Sequence, residues 1–214
     1  MKSKISAAEK KRISIIFREL KNNYPNTKPQ LNFSNSFELL IATILSAQCT
    51  DARVNIVTKD LFKKFKEPID YVHAPNEEIE KYIYSTGFYK QKTKSIKACS
   101  KKLVEEYDSK VPPDFDKLNE LPGVGRKTAS VVAGHAFGIP AIAVDTHVKR
   151  ISNLLGIVDS QNPDIIEAEL KQLLKEEDWV DSTHWFINHG RNVCIARRPK
   201  CDICFLNKLC PSVK

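Results

Sequence analysis

The sequence has no apolar stretch long enough to cross a membrane. A spanning helix needs about 18 or more consecutive apolar residues, and the longest apolar stretches here, near residues 39–45 and 141–144, are much shorter. The first twelve residues are rich in lysine, but no apolar core and no small-residue cleavage site follow, so they do not read as a secretory signal. These absences argue against a membrane protein and predict a cytoplasmic one.

Sustained alternation of apolar and polar residues, the pattern of a half-buried strand, is also lacking. Apolar residues instead recur at helical spacing, as in Ile13, Ile16, Phe17 and Leu20. The chain has no low-complexity linker and no clear internal repeat. An all-α fold is therefore predicted, and 214 residues are enough for one large domain or two small ones.

Capping residues divide the chain into helices. Helix starts are predicted after Asn35, Thr50 or Asp51, Asp145 and Asn162. A short helix is predicted from Asp114 to Asn119, and the last long helix from Ser182 to Cys194. One helix before Pro112 carries many lysines, and the spacing predicts that they share its exposed side: Lys92, Lys94, Lys97, Lys101 and Lys102.

The charge balance is basic. Lysine and arginine number 34 against 26 for aspartate and glutamate, which gives a formal net charge of +8 and a pI near 9.1. A basic surface attracts polyanions, of which nucleic acid is the most common inside a cell. Because basic proteins also occur merely for solubility, charge alone favours nucleic acid only modestly.

Two of the seven glycines lie in the segment Leu121-Pro122-Gly123-Val124-Gly125, between two predicted helices. Glycines allow a sharp turn and a close approach to a ligand. The free N–H groups of the turn and of the next helix then point at an anion such as a phosphate, without regard to base sequence. The alternative is a plain glycine-capped connection; the following Arg126-Lys127 and the net charge favour DNA.

Lys127 and Asp145 are candidates for chemistry. Lys127 lies in the first turn of a helix, where the partially positive helix end disfavours an ammonium and favours the neutral, nucleophilic amine. Asp145 is predicted to start a later helix, and a carboxylate near a lysine can accept its proton or stabilise positive charge on a sugar. The alternatives are a solvated lysine near DNA and an ordinary helix cap.

Four of the six cysteines lie in the last 21 residues with the spacing C-x6-C-x2-C-x5-C. The four are Cys194, Cys201, Cys204 and Cys210. Such spacing fits a [4Fe–4S] cluster or a structural zinc ion, and the spacing alone leaves both open. Cations in the same loop, at Arg197, Arg198 and Lys200, are predicted to offset the thiolates or to reach DNA phosphates. Cys49 and Cys99 are predicted to be small core or near-core residues.

These motifs together resemble endonuclease III, a family of DNA glycosylases with lyase activity. The resemblance rests on residues 121–129 (LPGVGRKTA), 144–147 (VDTH), 45–51 (LSAQCTD) and the cysteine tail, and it extends over nearly the whole chain. It implies a two-domain helix-hairpin-helix glycosylase fold. A six-helix barrel would occupy residues 29–139, with the hairpin motif at about 114–136. A [4Fe–4S] cluster domain would be formed by residues 1–28 and 140–214, with its cluster loop at 194–210.

The resemblance also implies residue roles. Lys127 would be the Schiff-base nucleophile, Asp145 the catalytic carboxylate and the four tail cysteines the [4Fe–4S] ligands. Gln48 would fill the space left by an extruded nucleotide and Phe88 would stand where the family often has an apolar wedge. Together with the contacts that the motifs themselves indicate, the predicted DNA contacts are Gln48, Phe88, Leu121, Gly123, Val124, Gly125, Arg126, His147, Arg197, Arg198 and Lys200.

The implied partner is double-stranded DNA that contains damaged pyrimidines or abasic sites, bound by a monomer associated with the nucleoid. Three alternatives stay open. The adenine DNA glycosylases have the same fold, but they lack a lysine at position 127 and carry a further C-terminal domain. A non-catalytic DNA-binding module would need the hairpin but neither Lys127 nor Asp145. A small zinc-bound structural protein would need only the cysteines.

Overall fold

The computed structural model describes residues 6–25 and 28–213. Over these residues the chain forms eleven α-helices and four short 3-10 turns, and no strand. The predicted all-α class is therefore confirmed. None of the helices within the described ranges combines the length and the apolar character that a membrane span requires.

Contacts divide the chain into two compact units. The first unit contains the described residues up to Lys28 and those from Pro140 onward, and the second is Pro29–Ile139. Each unit has its own cluster of buried apolar side chains. A cluster of this kind supplies most of the free energy that stabilises a helical unit, because isolated helices are marginal in water.

The second unit, Pro29–Ile139, contains seven α-helices. They are α2 (Ser36–Leu45), α3 (Asp51–Lys64), α4 (Pro68–His73), α5 (Asn76–Ile83), α6 (Tyr89–Glu106), α7 (Phe115–Asn119) and α8 (Arg126–Phe137). Helix α2 is apolar on all sides, and eight of its residues are buried. A helix of that composition belongs at the centre of a core, and here α6 and α8 pack against it.

The unit that contains the chain's C-terminal part is built from four α-helices. They are α1 (Ala7–Asn23), α9 (Thr146–Leu154), α10 (Pro163–Leu173) and α11 (Trp179–Asn192). Trp185 and Phe186 of α11 are almost fully buried beside α1, where the Phe17 and Phe186 rings meet edge to face with centroids 6.4 Å apart. This packing holds α1 against α11.

Most of the predicted helix starts are confirmed. The side chains of Asn35, Thr50, Asp114, Asp145 and Asn162 each accept a hydrogen bond from a backbone N–H in the first turn of their helix. Such caps pair N–H groups that a helix leaves without an internal partner. The chemistry of these five side chains therefore sets where the helices begin.

The predicted bounds of the last long helix were wrong. Helix α11 begins at Trp179, three residues before Ser182, because the 3-10 turn Glu176–Asp178 already directs the chain into it. It ends at Asn192 rather than Cys194. The N–H groups of Val193 and Cys194 both turn back to the carbonyl of His189, at 3.0 and 2.8 Å, and this closes the helix before the cysteine loop.

The predicted exposure of Lys92 was also wrong. Its side chain is only 5% exposed, and its ammonium donates hydrogen bonds to the carbonyls of Leu45 and Thr86, both at 2.8 Å. Helical spacing places Lys92 beside the apolar face, and its long side chain reaches carbonyls at the edge of the core. Of the other four lysines, Lys94 and Lys101 are exposed and Lys97 and Lys102 are partly buried.

The glycine turn between α7 and α8 is shaped by packing. Gly123 has a φ of +78°, a backbone conformation that residues with a side chain rarely adopt. A Cβ at this position would also lie 2.6 Å from the Cβ of Ser95 on α6. Gly125 has an ordinary φ of −91°, and nothing lies within 4 Å of the position of its missing Cβ. The fold thus requires glycine at 123 but not at 125.

We expect Gly123→Ala to lower the free energy of unfolding by about 2 kcal/mol, because it adds both backbone strain and a clash with Ser95. Gly125→Ser is the matched control; serine is a good cap at the start of α8, so we expect a change below about 0.5 kcal/mol. Urea unfolding of the two variants checks this. Equal stabilities would contradict the assignment of Gly123 to the fold.

Candidate functional site

The turn from Leu121 to Gly125 presents backbone groups at the start of α8. Leu121 and Val124 are buried and anchor it, while Gly123 and Gly125 are exposed. Gly125 is the residue that caps α8, and because glycine has no side chain it makes no side-chain cap hydrogen bond there. A helix start of this kind, with N–H donors and a partial positive charge, suits an anion.

Arg126 and Lys127 are the first two residues of α8, and both are exposed. The Arg126 guanidinium lies 5.2 Å from the centre of the Phe115 ring, a cation–π contact that holds it beside the turn. The Lys127 side-chain amine forms no hydrogen bond or ion pair with any residue in the described ranges. Its amine is thus accessible at the positive end of a helix.

Gln48 and Phe88 follow helical segments in the same unit, and both are exposed. Their φ angles, 53° and 48°, place both residues in the left-handed region. Residues other than glycine occupy this region only at a cost, so such conformations concentrate at functional loops. Phe88 is 67% exposed, an unusual position for a large apolar side chain.

Asp145 caps the start of α9 through only one of its two carboxylate oxygens. Its Oδ1 accepts hydrogen bonds from the N–H groups of His147 and Val148, both at 2.8 Å, at the start of α9. Oδ2 receives no hydrogen bond from the residues that the structure describes. The residue is half-buried, and one carboxylate oxygen fixes the side chain while the other is unpaired among the described residues. The predicted pairing of Asp145 with Lys127 stays a prediction.

The four tail cysteines lie in the loop after α11, where all four are half-buried and none is joined in a disulfide. Backbone hydrogen bonds shape this loop. The Lys200 N–H donates to the Val193 carbonyl at 3.0 Å, and the Cys204 N–H donates to the Cys201 carbonyl at 3.2 Å. The predicted cations of the loop, Arg197, Arg198 and Lys200, are all exposed. They are therefore accessible to an anion such as a phosphate.

The electrostatics of the thiols fit a shared cationic group. Burial raises the pKa of the Cys204 thiol, and the charges of Cys194, Cys210 and Cys201 raise that pKa further. Four thiolates that repel one another need positive charge among them, which iron ions would supply. In the described part of the chain, no three His, Cys, Asp or Glu side chains are placed to hold a single metal ion, so the group that the four thiols would share is a cluster of several ions.

Two residues beside the thiols were not predicted from the sequence. Arg150 on α9 donates to the Cys194 carbonyl at 2.6 Å, approaches its Sγ at 3.7 Å and lies 3.3 Å from the His147 Nδ1. His189 is buried with its Nε2 3.7 Å from the Cys204 Sγ, and burial, with Arg150 nearby, lowers the pKa of His189 to about 4. Neither belongs to the motif segments, so nothing but a place in a predicted helix marks these two residues in the sequence.

Comparison with known proteins places the chain in a family. Residues 41–176 match the HhH-GPD superfamily base excision DNA repair protein, and residues 194–210 match the iron–sulfur binding domain of endonuclease III. The second match decides between the two cofactors that the spacing left open, in favour of an iron–sulfur cluster over zinc. The cofactor implied by the resemblance is therefore confirmed.

The similarity to relatives and to solved structures extends over almost the full length of this chain. The endonuclease III of Synechocystis sp. is 46% identical over 209 residues, which is 97% of this chain and 95% of that protein. A non-covalent endonuclease III–DNA complex is 45% identical, with a TM-score of 0.91 over 95% of both chains. A trapped endonuclease III–DNA covalent intermediate, also 45% identical, has a TM-score of 0.92 over 95% of this chain and 96% of that one.

The predicted resemblance and the helix-hairpin-helix glycosylase fold are thus confirmed, and the chain belongs to the endonuclease III family of base-excision DNA repair glycosylases.

Proposed function

We propose that this protein removes oxidised pyrimidines from double-stranded DNA and then cleaves the strand on the 3′ side of the abasic site, with Lys127 as nucleophile. The observation that carries this role is the accessible Lys127 amine at the start of α8, directly after the glycine turn. The trapped covalent complex of a relative with DNA supports a covalent step. We further propose that the protein acts as a monomer at the nucleoid.

The glycine turn would hold the DNA backbone. The N–H groups at the start of α8 would donate to a phosphate oxygen, a contact independent of base sequence. The open space around Gly125 supports this, since the fold itself makes no use of the absent side chain. Arg126 and His147, and in the cysteine loop Arg197, Arg198 and Lys200, would add further contacts to the phosphates.

An enzyme that acts on a base within a duplex first extrudes the nucleotide, which costs a few kcal/mol and is least costly for damaged bases. We assign Gln48 and Phe88 to the gap that is left. Both are exposed on loops of the Pro29–Ile139 unit, and the apolar Phe88 ring would gain by stacking between bases.

The chemistry would then run through Lys127. The neutral amine forms a bond to the sugar C1′, while the bond from C1′ to the base breaks and its electron pair leaves with the base. Opening of the sugar ring gives an imine, which acidifies the C2′ proton. Loss of that proton breaks the bond to the 3′ phosphate by β-elimination, and water releases Lys127. The carboxylate of Asp145 would accept the amine proton or stabilise positive charge on the sugar.

The thiols of Cys194, Cys201, Cys204 and Cys210 would hold the [4Fe–4S] cluster, with Arg150 donating to the backbone at the first of them. When bound, the cluster would join the four cysteines of the loop at one centre, and its iron ions would offset the negative charge of the thiolates. No step of the proposed reaction passes through it.

Lys127→Ala should abolish covalent trapping by borohydride on DNA that contains an oxidised pyrimidine or an abasic site, because the imine nitrogen comes from this side chain. The measurement is the shifted protein–DNA band in a denaturing gel. Lys101→Ala, which removes another exposed helical lysine from the same unit, should trap like the wild type. Trapping that persists in Lys127→Ala would reject the nucleophile.

Asp145→Asn should slow single-turnover base removal by about 100-fold or more, since it removes the charge needed for proton transfer. Asparagine caps a helix as well as aspartate does, so the Oδ1 contacts and the stability of the unit should be kept. Rate, DNA affinity and thermal unfolding should be measured together. A normal rate would remove Asp145 from the mechanism. A large loss of stability would contradict the assignment of Oδ1 to the helix cap and of Oδ2 to the reaction.

The purified protein should be yellow-brown and contain about four iron and four sulfide per chain, as expected for a [4Fe–4S] cluster. Cys204→Ser should lose iron and colour. Cys49→Ser, which removes a thiol from the Pro29–Ile139 unit, should keep both. A colourless wild-type protein with stoichiometric zinc would overturn the cofactor, and an unchanged Cys204→Ser would remove that ligand.

A further inference from the structure

Lys92 is a buried cation for which the proposed chemistry has no use. Burying an ammonium costs free energy unless it is well paired, and burial lowers the pKa of Lys92, although the nearby Cys49 thiol opposes that shift. The two hydrogen bonds of its ammonium, to Leu45 and Thr86, span 47 and 6 residues of sequence. The side chain therefore joins two segments that are far apart in the chain.

Both acceptors are the last residue of a helical segment. Leu45 ends α2, and Thr86 ends the 3-10 turn Tyr84–Thr86. The last carbonyls of a helix have no partner within it and carry partial negative charge, so a cation is favourable there. After α2, the N–H groups of Ser46 and Ala47 turn back to residues 42–44, and Lys92 pairs the remaining Leu45 carbonyl.

Shortly after each of these segments comes a residue whose backbone is in the left-handed region. Gln48 comes three positions after Leu45, and Phe88 comes two positions after Thr86. The backbone N–H of Lys92 also donates to the Phe88 carbonyl, at 3.0 Å. One residue thus holds the Phe88 loop through its backbone and its side chain, and the Gln48 loop through its side chain alone.

We propose that Lys92 is a positioning residue for base extrusion, which fixes the Gln48 and Phe88 loops relative to each other so that both side chains enter the duplex together. The inference rests on the gap-filling roles proposed above for those two side chains. Two side chains from separate loops can fill a gap of one nucleotide only if their separation is set in advance, because ordering them on binding would consume part of the binding free energy.

The chain offers a matched control on the same helix. Lys97 also donates from its amine to a carbonyl, that of Ala74 at the end of α4, and it has no link to either loop. Lys97→Met therefore removes the same kind of bond from α6. A purely structural role for Lys92 predicts that Lys92→Met and Lys97→Met differ in stability alone.

The first measurement is amide hydrogen exchange of the free, cluster-containing protein. Lys92→Met should speed exchange at residues 47–49 and 86–88 together, relative to Lys97→Met, and Lys92→Arg should restore part of the protection. Unchanged exchange in either loop would overturn the proposal. If Lys92→Met does not accumulate as folded protein, Lys92→Gln serves instead, since its shorter side chain keeps a donor but cannot reach both carbonyls.

The second measurement is the single-turnover rate of base removal from a fully paired duplex. We expect Lys92→Met to slow it by about tenfold, or about 1.4 kcal/mol of activation free energy. Gln48→Ala and Phe88→Ala should each slow the wild type but have a clearly smaller effect in the Lys92→Met background, because their loops are already released. Full, independent effects in that background would overturn the positioning role.

The two failures can be told apart. If Gln48→Ala and Phe88→Ala leave the rate of base removal unchanged, the proposed gap-filling roles are wrong. Lys92 then has no role in base extrusion, even if hydrogen exchange shows that it links the two loops. If both variants are slow but insensitive to Lys92→Met, the gap-filling roles stand and the inference about Lys92 is rejected.

Discussion

The unpaired backbone groups at helix ends are the constraint on which this structure depends. Every α-helix leaves N–H groups at its start and carbonyls at its end without internal partners, and a chain of many short helices has many such ends. Asp145 pairs N–H groups at the start of α9, Lys92 pairs a carbonyl at the end of α2, and Gly125 provides no side-chain cap at the start of α8. Several of the residues to which we assign a role therefore act on these helix-end groups.

The predicted starts were found from the sequence because an N-cap is a local device. Asn35, Thr50 and Asp145 act on N–H groups two or three residues away, so residue type and spacing suffice to recognise them. The end of α11 was misplaced because its two closing hydrogen bonds use backbone groups alone, which leave no mark on side-chain identity. Residues 29–139 form one of the compact units, but the arrangement of their helices as a barrel stays a prediction.

Of the candidate site, the sequence supplied the motifs and their order but not their surroundings. The accessibility of Lys127 follows from its place at the start of α8, which the glycine turn predicts. The contacts of Lys92 and Arg150 could not be predicted, because each joins residues more than 40 positions apart that only the folded chain brings together. Helical spacing even gave the opposite result for Lys92, since a pattern of charged residues does not reveal that a buried carbonyl lies within reach of a long side chain.

The close contact between Gly123 and Ser95 has a consequence for the search for damage. The turn already has its shape before any DNA arrives, because α6 and not a ligand imposes it. In its proposed role as a contact to the DNA backbone, a rigid turn loses little conformational entropy on association and requires no slow rearrangement, so encounters with DNA can be both fast and brief. A repair protein that must sample long stretches of undamaged DNA gains from that combination, since the time spent at each site limits the length of DNA that it can inspect.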